Sequence, residues 1–186
     1  MESIFLEPTP ELAASYIKEF DSVEVADIAI NNLMKKFPQN SLVQDVLLKV
    51  SVINSLYSTN IYAVHEISYH IQKLNIDCRL ISGDLSLVED IATGHGKGRR
   101  FFSFATKYCN WHRPDIYPIY DSFVEKTLIA VRDNFKFSSF KRNELRECDC
   151  LKQVIHDFMK TYSLAHYNLK DIDKFLWMYG RKHLSQ

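Results

Sequence analysis

Between Ile91 and Pro114 the chain has no acidic residue, although its formal net charge is zero. This stretch contains five cations, which are Lys97, Arg99, Arg100, Lys107 and Arg113. Glycine lets the backbone approach a phosphate closely, and the N-terminus of a following helix favours an anion. Lysine and arginine beside such a turn add phosphate contacts without sequence preference. The pattern therefore predicts a phosphate-binding turn consisting of Gly94, His95, Gly96, Lys97, Gly98, Arg99 and Arg100. A glycine C-cap followed by a solvated basic helix end is the alternative interpretation.

Asp121 is the candidate for a catalytic carboxylate. Pro118 keeps Tyr117 extended, so that a helix is expected to begin at Asp121. A carboxylate at a helix start is held as the anion by the helix dipole and the free backbone N–H groups. Such an anion can stabilise a positively charged sugar and orient an attacking water. An ordinary N-cap, followed by Glu125 as a second anion in the first turn, explains the same residues.

Aromatic residues are concentrated near this aspartate. They are Phe101, Phe102, Phe104, Tyr108, Trp111, Tyr117, Tyr120 and Phe123. Enzymes that act on a nucleobase flip it out of the duplex and stack it on aromatic or apolar side chains. Trp111, Tyr117 and Tyr120 are the candidates for stacking, because they lie in the predicted loop before Asp121. The helical spacing of residues 101, 104 and 108, and of residues 120, 123 and 124, also fits a packed core, which is the alternative for each of these rings.

Two segments resemble the helix-hairpin-helix (HhH-GPD) DNA glycosylase superfamily. Residues 91–96 (IATGHG) are similar to its hairpin, and Pro118–Val124 (PIYDSFV) to the start of the helix with its aspartate. Phe104–Tyr108 (FATKY) extends the similarity, which covers roughly residues 84–130. Residues 171–177 (DIDKFLW) resemble the tails of uncharacterised bacterial members of this group.

The resemblance implies binding of duplex or damaged DNA, as in DNA repair, with no cofactor and with Asp121 as the catalytic carboxylate. Bifunctional members have a nucleophilic lysine at the start of the helix after the hairpin, where this chain has Ser103. Lys107 lies one turn further on the same helix face. The resemblance therefore implies monofunctional N-glycosidic hydrolysis, with Ser103 and Lys107 as pocket residues. The spacing from Gly96 to Asp121 is several residues longer than usual, and no four-cysteine iron–sulfur signature is present.

The elements expected to position these residues are helices. A chain of 186 residues with 46% apolar residues can bury a sizeable core. Only five glycines and five prolines interrupt it, which favours helices with short connections. Apolar periodicity predicts nine helices, and only residues 76–82 look β-like. We expect a single all-α domain over residues 1–186, with two lobes around a cleft and a hairpin-like region at 84–125.

Other classes of protein find less support. The four cysteines have no C-x-x-C spacing, so reduced thiols and no metal site are expected. The first residues contain acids and no apolar run, and no stretch approaches 18 uncharged apolar residues. We therefore expect a cytoplasmic protein that does not enter a membrane.

Two other functions fit the same residues. A polyanion-binding protein is usually basic, whereas this chain has a pI near 7.0. The neutral pI and the missing lysine favour a non-catalytic helical interaction protein that keeps the fold without the chemistry. A small-molecule pocket in the same cleft is the third interpretation.

Overall fold

The computed structural model describes residues 5–23, 25–94 and 98–184, and within these residues all regular secondary structure is helical. The predicted all-α class is therefore confirmed. The α-helices are α1 (Pro10–Val23), α2 (Val25–Lys36), α3 (Val43–Leu56), α4 (Val64–Lys73), α5 (Asp77–Ser82), α6 (Leu87–Thr93), α7 (Phe102–His112), α8 (Ser122–Phe135), α9 (Cys148–Thr161) and α10 (Leu169–His183). A 3₁₀-helix spans Arg142–Arg146. No described helix is long and apolar enough to cross a membrane.

The chain divides into two compact units. The first combines Met1–Glu24 with Pro118–Gln186, and the second is Val25–Tyr117. The first unit therefore joins α1 to the last three α-helices and the 3₁₀-helix. The expectation of a single domain over residues 1–186 stays a prediction.

In the first unit, α10 packs against both α8 and α1. Gly180 permits the close approach of α10 to α8, because a Cβ there would lie 2.7 Å from Thr127 Oγ1. At the end of α10, the His183 ring lies 2.9 Å from the Tyr16 hydroxyl of α1. The core between these helices is a continuous cluster of buried apolar and aromatic side chains.

In the second unit, α3 packs against α4, and α6 packs against α7. Apolar spacing predicts Val25, Ile28, Ala29 and Leu33 as the inward face of α2, but Val25 and Ile28 are 75% and 62% exposed. Ile30 and Met34 are buried instead. The hydroxyl of Tyr57 donates to Asp27 Oδ1 at 2.8 Å, which turns that side of α2 toward the end of α3.

The β-like stretch at residues 76–82 is α5. At its first residue, the Asp77 carboxylate accepts hydrogen bonds from the backbone and side chain of Asn40, at 3.0 and 2.7 Å. This tertiary contact holds the start of α5, and Gly83 ends the helix in the left-handed conformation with φ 73°.

Candidate functional site

Asp121 is the N-cap of α8, as the sequence predicts. Its Oδ1 accepts hydrogen bonds from the backbone N–H groups of Phe123 and Val124, at 2.8 and 2.9 Å. The side chain is half-buried. Within the described part of the chain, Oδ2 has no hydrogen-bond partner. The carboxylate is therefore oriented by its own helix through one oxygen, while the second oxygen is left for another ligand.

Beside Asp121, a buried carboxylate binds two arginines. The Glu125 side chain is 4% exposed and accepts from Arg142 Nε at 2.6 Å. Tyr120 donates its hydroxyl hydrogen to Glu125, and Arg146 Nε donates to that hydroxyl at 3.1 Å. Burial acts to raise the pKa of Glu125, but hydrogen bonds from Tyr120 and Arg142 outweigh it and hold the pKa below its ordinary value.

This cluster changes the interpretation of two predicted features. The mixed charge of residues 141–147 predicts an exposed surface, and the side chains of Arg142 and Arg146 are 68% and 58% exposed. Both guanidinium groups nevertheless bind Glu125 or Tyr120. Tyr120, a predicted stacking residue, is half-buried and has its hydroxyl engaged by Glu125. The pairing of α8 with the 3₁₀-helix joins residues 17 positions apart, for which the sequence carries no local signal.

The predicted phosphate-binding turn is described in part, since His95, Gly96 and Lys97 lie outside the described residues. Gly94 ends α6 in the right-handed helical region, with φ −63°. Its missing side chain leaves room for His70, because a Cβ there would lie 1.9 Å from His70 Cδ2. Gly98 has φ +72° and open space around its Cα, as expected for a glycine in a turn.

The two arginines of this turn differ in their contacts. Arg100 Nε donates to both carboxylate oxygens of Glu89, at 2.9 and 2.8 Å, and its guanidinium lies over the Phe102 ring. The exposed Arg99 lies over the rings of Phe101 and Tyr62, at 5.1 and 5.9 Å from their centroids. Within the described part, Arg99 forms no ion pair. Its charge is therefore the more available to a phosphate.

Three predicted pocket residues are engaged within the second unit. Lys107 Nζ donates to Ser103 Oγ at 2.8 Å, so the structure brings this pair together as expected. Lys107 is, however, only 3% exposed and lies over the Tyr57 ring. Tyr117 is fully buried, and its hydroxyl lies 3.1 Å from the Asp84 carbonyl. Tyr117 therefore belongs to the core, as the alternative interpretation holds, and offers no face to a base.

Trp111, the remaining stacking candidate, is half-buried near the end of α7. The backbone after it is held by Asn110, whose buried Nδ2 donates to the Tyr117 carbonyl at 2.6 Å. Of the three predicted stacking residues, Trp111 and Tyr120 therefore keep part of their surface exposed.

Sequence reasoning missed a buried polar network centred on Lys49. This lysine is fully buried in α3 and donates to the carbonyls of Phe37 and Gln39 and to Asn40 Oδ1, at 3.1, 2.8 and 2.6 Å. Burial lowers its pKa to about 8, against the opposing attraction of Asp77 and Asp45. The one signal was a single cation within the apolar run of α3.

Asn40 connects this lysine to α5 and α7. Its Oδ1 also accepts from the buried Tyr108 hydroxyl at 2.6 Å, and its Nδ2 lies 3.4 Å from His112 Nε2. Burial lowers the pKa of His112 to about 3, with a further contribution from the Lys49 charge and opposition from Asp77. His112 is therefore neutral at physiological pH.

An open groove of about 770 Å³ lies at the opposite end of α8 from Asp121. Its lining comprises Arg132, Asp133, Lys136, Ser138, Ser139 and Phe140. An α-helix of 14 residues is about 20 Å long, so this groove is separate from the candidate carboxylate. The groove consequently does not provide the small-molecule pocket expected beside Asp121.

The comparisons with known proteins show the family. Residues 12–116 match a family model described as an N-terminal domain, HI_0787_N. A protein of Haemophilus influenzae, described as an uncharacterized protein, is 40% identical over 146 residues, covering 77% of this chain and 70% of the relative. No solved structure gives a significant match. The chain belongs to the HI_0787_N family, and neither description names a ligand or a reaction.

Proposed function

We propose that this member of the HI_0787_N family binds DNA and hydrolyses the N-glycosidic bond of a damaged base. The Asp121 carboxylate carries the proposal, because one oxygen is held by α8 and the second lacks a partner in the described residues. A carboxylate fixed in this way needs little reorganisation to stabilise developing positive charge on a sugar.

The proposed architecture is glycosylase-like, with a helix-hairpin-helix-like turn at residues 94–96. Three observations support it. Helices α6 and α7 flank this segment and pack against each other. The N–H of Phe101 donates to the Ala92 carbonyl at 2.9 Å, which joins the start of α7 to α6. Arg99 presents an exposed cation at the same place.

In the proposed reaction, the bond between the sugar C1′ and the base nitrogen breaks, and its electron pair leaves with the base. The anionic Asp121 stabilises the oxocarbenium-like sugar and orients a water. The water oxygen bonds to C1′, one of its protons passes through Asp121 to solvent, and the departing base takes up a proton. The step requires no cofactor. Ser103 lacks an amine and Lys107 is buried, so we propose no Schiff-base step.

DNA binding is tested by its salt dependence, because phosphate contacts release counterions. We expect Arg99→Gln to weaken binding of every DNA sequence similarly and to reduce the slope of log affinity against log salt by about one. Lys160→Gln, which removes an exposed cation of α9, is the matched control and should leave the slope unchanged. An Arg99→Gln slope equal to that of the unmodified protein would contradict the phosphate assignment.

Catalysis is tested with Asp121→Asn, which removes the charge but retains a good N-cap. Across a panel of duplexes with different damaged bases, we expect base release to fall about 100-fold or more. Asp149→Asn, a change at the exposed start of α9, should release base at the normal rate. Unchanged release by Asp121→Asn, with its helical circular dichroism intact, would exclude Asp121 as the catalytic group.

The alternative is a non-catalytic interaction protein, and the exposed Val25 and Ile28 on α2 favour it. That function predicts no base release from any duplex and no salt-dependent DNA affinity. The two tests above therefore separate it from the enzyme.

A further inference from the structure

Tyr62 is the most exposed large hydrophobic side chain of the described residues, at 86%. It lies in the second unit between the turn after α3 and the start of α4. An exposed aromatic ring loses little conformational entropy when it stacks on a flat ligand, because it has only two side-chain torsions.

The backbone leading to Tyr62 is firmly anchored. Asn54 accepts from the N–H of Ile61 and donates to its carbonyl, both at 2.9 Å. The Thr59 hydroxyl donates to Asn54 Oδ1 at 2.8 Å, and Ile61 is only 3% exposed. This turn includes Ser58 and Asn60 in the left-handed region. A defined turn therefore holds Tyr62 at the surface.

A cation lies against this ring. The Arg99 guanidinium is 5.9 Å from the Tyr62 ring centroid and 5.1 Å from that of the buried Phe101. Gly98, directly before it, has open space around its Cα. An exposed ring beside an arginine suits a nucleotide, because the base can stack while the phosphate meets the guanidinium. Among protein partners, only an acidic one would gain comparable binding energy from this cationic segment, which contains no acidic residue.

We infer that Tyr62 stacks on an unpaired base of the bound nucleic acid, next to the phosphate that Arg99 contacts. This inference rests on the proposed DNA binding and adds a substrate class, namely DNA with an unpaired nucleotide. In an intact duplex the base faces are covered by neighbouring base pairs, so that only an unpaired or terminal base can stack on the ring.

The test measures fluorescence anisotropy with three labelled DNAs, which are a single strand, an intact duplex, and a duplex with one bulged nucleotide. We expect Tyr62→Ala to weaken binding of the single strand and the bulged duplex about tenfold. Binding of the intact duplex should change less than about twofold, and the salt slope should stay constant. Tyr62→Phe should bind like the unmodified protein. Tyr69→Ala, which removes a 53% exposed tyrosine of α4, is the matched control.

The failures are distinguishable. If Arg99→Gln weakens binding but Tyr62→Ala does not, the stacking inference is wrong and the proposed DNA binding stands. An equal loss on all three DNAs overturns the preference for an unpaired base. If the unmodified protein binds none of them at low salt, the proposed function fails, and the stacking inference fails with it.

Discussion

Individual side chains in the second unit show how buried charge is accommodated. Lys49 places all three ammonium hydrogens on oxygens of residues 37–40, so its burial leaves no donor unsatisfied. His112, at the edge of this network, is kept neutral chiefly because burial disfavours its charged form, and the Lys49 charge lowers its pKa further. The network therefore accommodates the charge of Lys49, while His112 stays neutral.

His112 should make the folded chain sensitive to acid. Its pKa is about 3 when folded and about 6.5 when unfolded, so the unfolded chain binds more protons between these values. The stabilisation is complete above about pH 6.5 and is lost as the pH falls toward 3. Between neutral pH and about pH 4, His112→Gln should lose about 1–2 kcal/mol less stability than the unmodified protein, allowing for solvent screening of a half-buried group.

Urea denaturation at several pH values measures this difference. His65→Gln, which replaces an exposed imidazole of α4, should lose stability with acid as the unmodified protein does. If His112→Gln also follows the unmodified protein throughout, the assignment of the acid sensitivity to His112 is wrong.

Residues with a local signal were predictable, and those with distant partners were not. Asp121 could be identified as an N-cap because a proline, an aspartate and an apolar run follow one another in the sequence. The roles of Lys49 and Asn40 depend on Asp77 and Tyr108, which lie 37 and 68 positions from Asn40. Sequence patterns over one or two helical turns cannot reveal partners at such distances along the chain.

At the scale of elements, the junction of α6 and α4 depends on one missing side chain. His70 Nε2 donates to the Asp90 carbonyl at 2.8 Å, which places its ring over Gly94. Gly94→Ala would put a methyl group about where the ring lies, so we expect a destabilisation of about 1–3 kcal/mol. Thermal unfolding measures it.

A double-variant cycle identifies the cause. In a protein that already carries His70→Ala, Gly94→Ala should reduce stability less than it does in the unmodified protein, since the space of the imidazole ring is then vacant. Gly98→Ala is the matched control, because its cost comes from the positive φ and should be the same with or without His70. If the stability losses of Gly94→Ala and His70→Ala are additive, the His70 ring is not the reason that glycine is required at position 94.

The faces of helices were harder to predict than their existence. Apolar spacing located α2 within a few residues but selected Val25 and Ile28 as its buried side. The hydrogen bond from Tyr57 to Asp27 is part of a different orientation, in which Ile30 and Met34 are buried. Residues 76–82 are short and rich in apolar residues, which leaves helix and strand ambiguous from sequence alone. Their helix begins at Asp77, whose partner Asn40 is distant in the chain.

At the scale of the whole molecule, the order of the helices hides the pairing of α1 with α10. The Tyr16 hydroxyl and His183 are 167 positions apart. The family model spans residues 12–116 and ends next to Tyr117, the last residue of the second unit. Its start lies within α1 of the first unit. Neither the sequence pattern nor the family boundary therefore reveals that the first unit is made from both ends of the chain.

This arrangement predicts which fragments fold. Val25–Tyr117 is continuous and contains its own packed helices and the Lys49 network, so we expect it to be helical and to unfold cooperatively by circular dichroism. Pro118–Gln186 alone lacks α1, which supplies apolar side chains to the core beside α10. These side chains are Ala13, Tyr16, Ile17 and Phe20. Leaving that surface exposed should prevent cooperative folding of the fragment.

Adding Met1–Glu24 as a separate peptide should restore cooperative unfolding of Pro118–Gln186, because it returns the missing core residues and the partner of His183. The same peptide with Tyr16→Ser and Ile17→Ser is the control and should not restore it, since both changes put polar groups into the core. Cooperative unfolding of Pro118–Gln186 without any peptide would show that α1 only covers a core already complete. Equal rescue by both peptides would show that the contact of α1 with this fragment does not depend on its buried side chains.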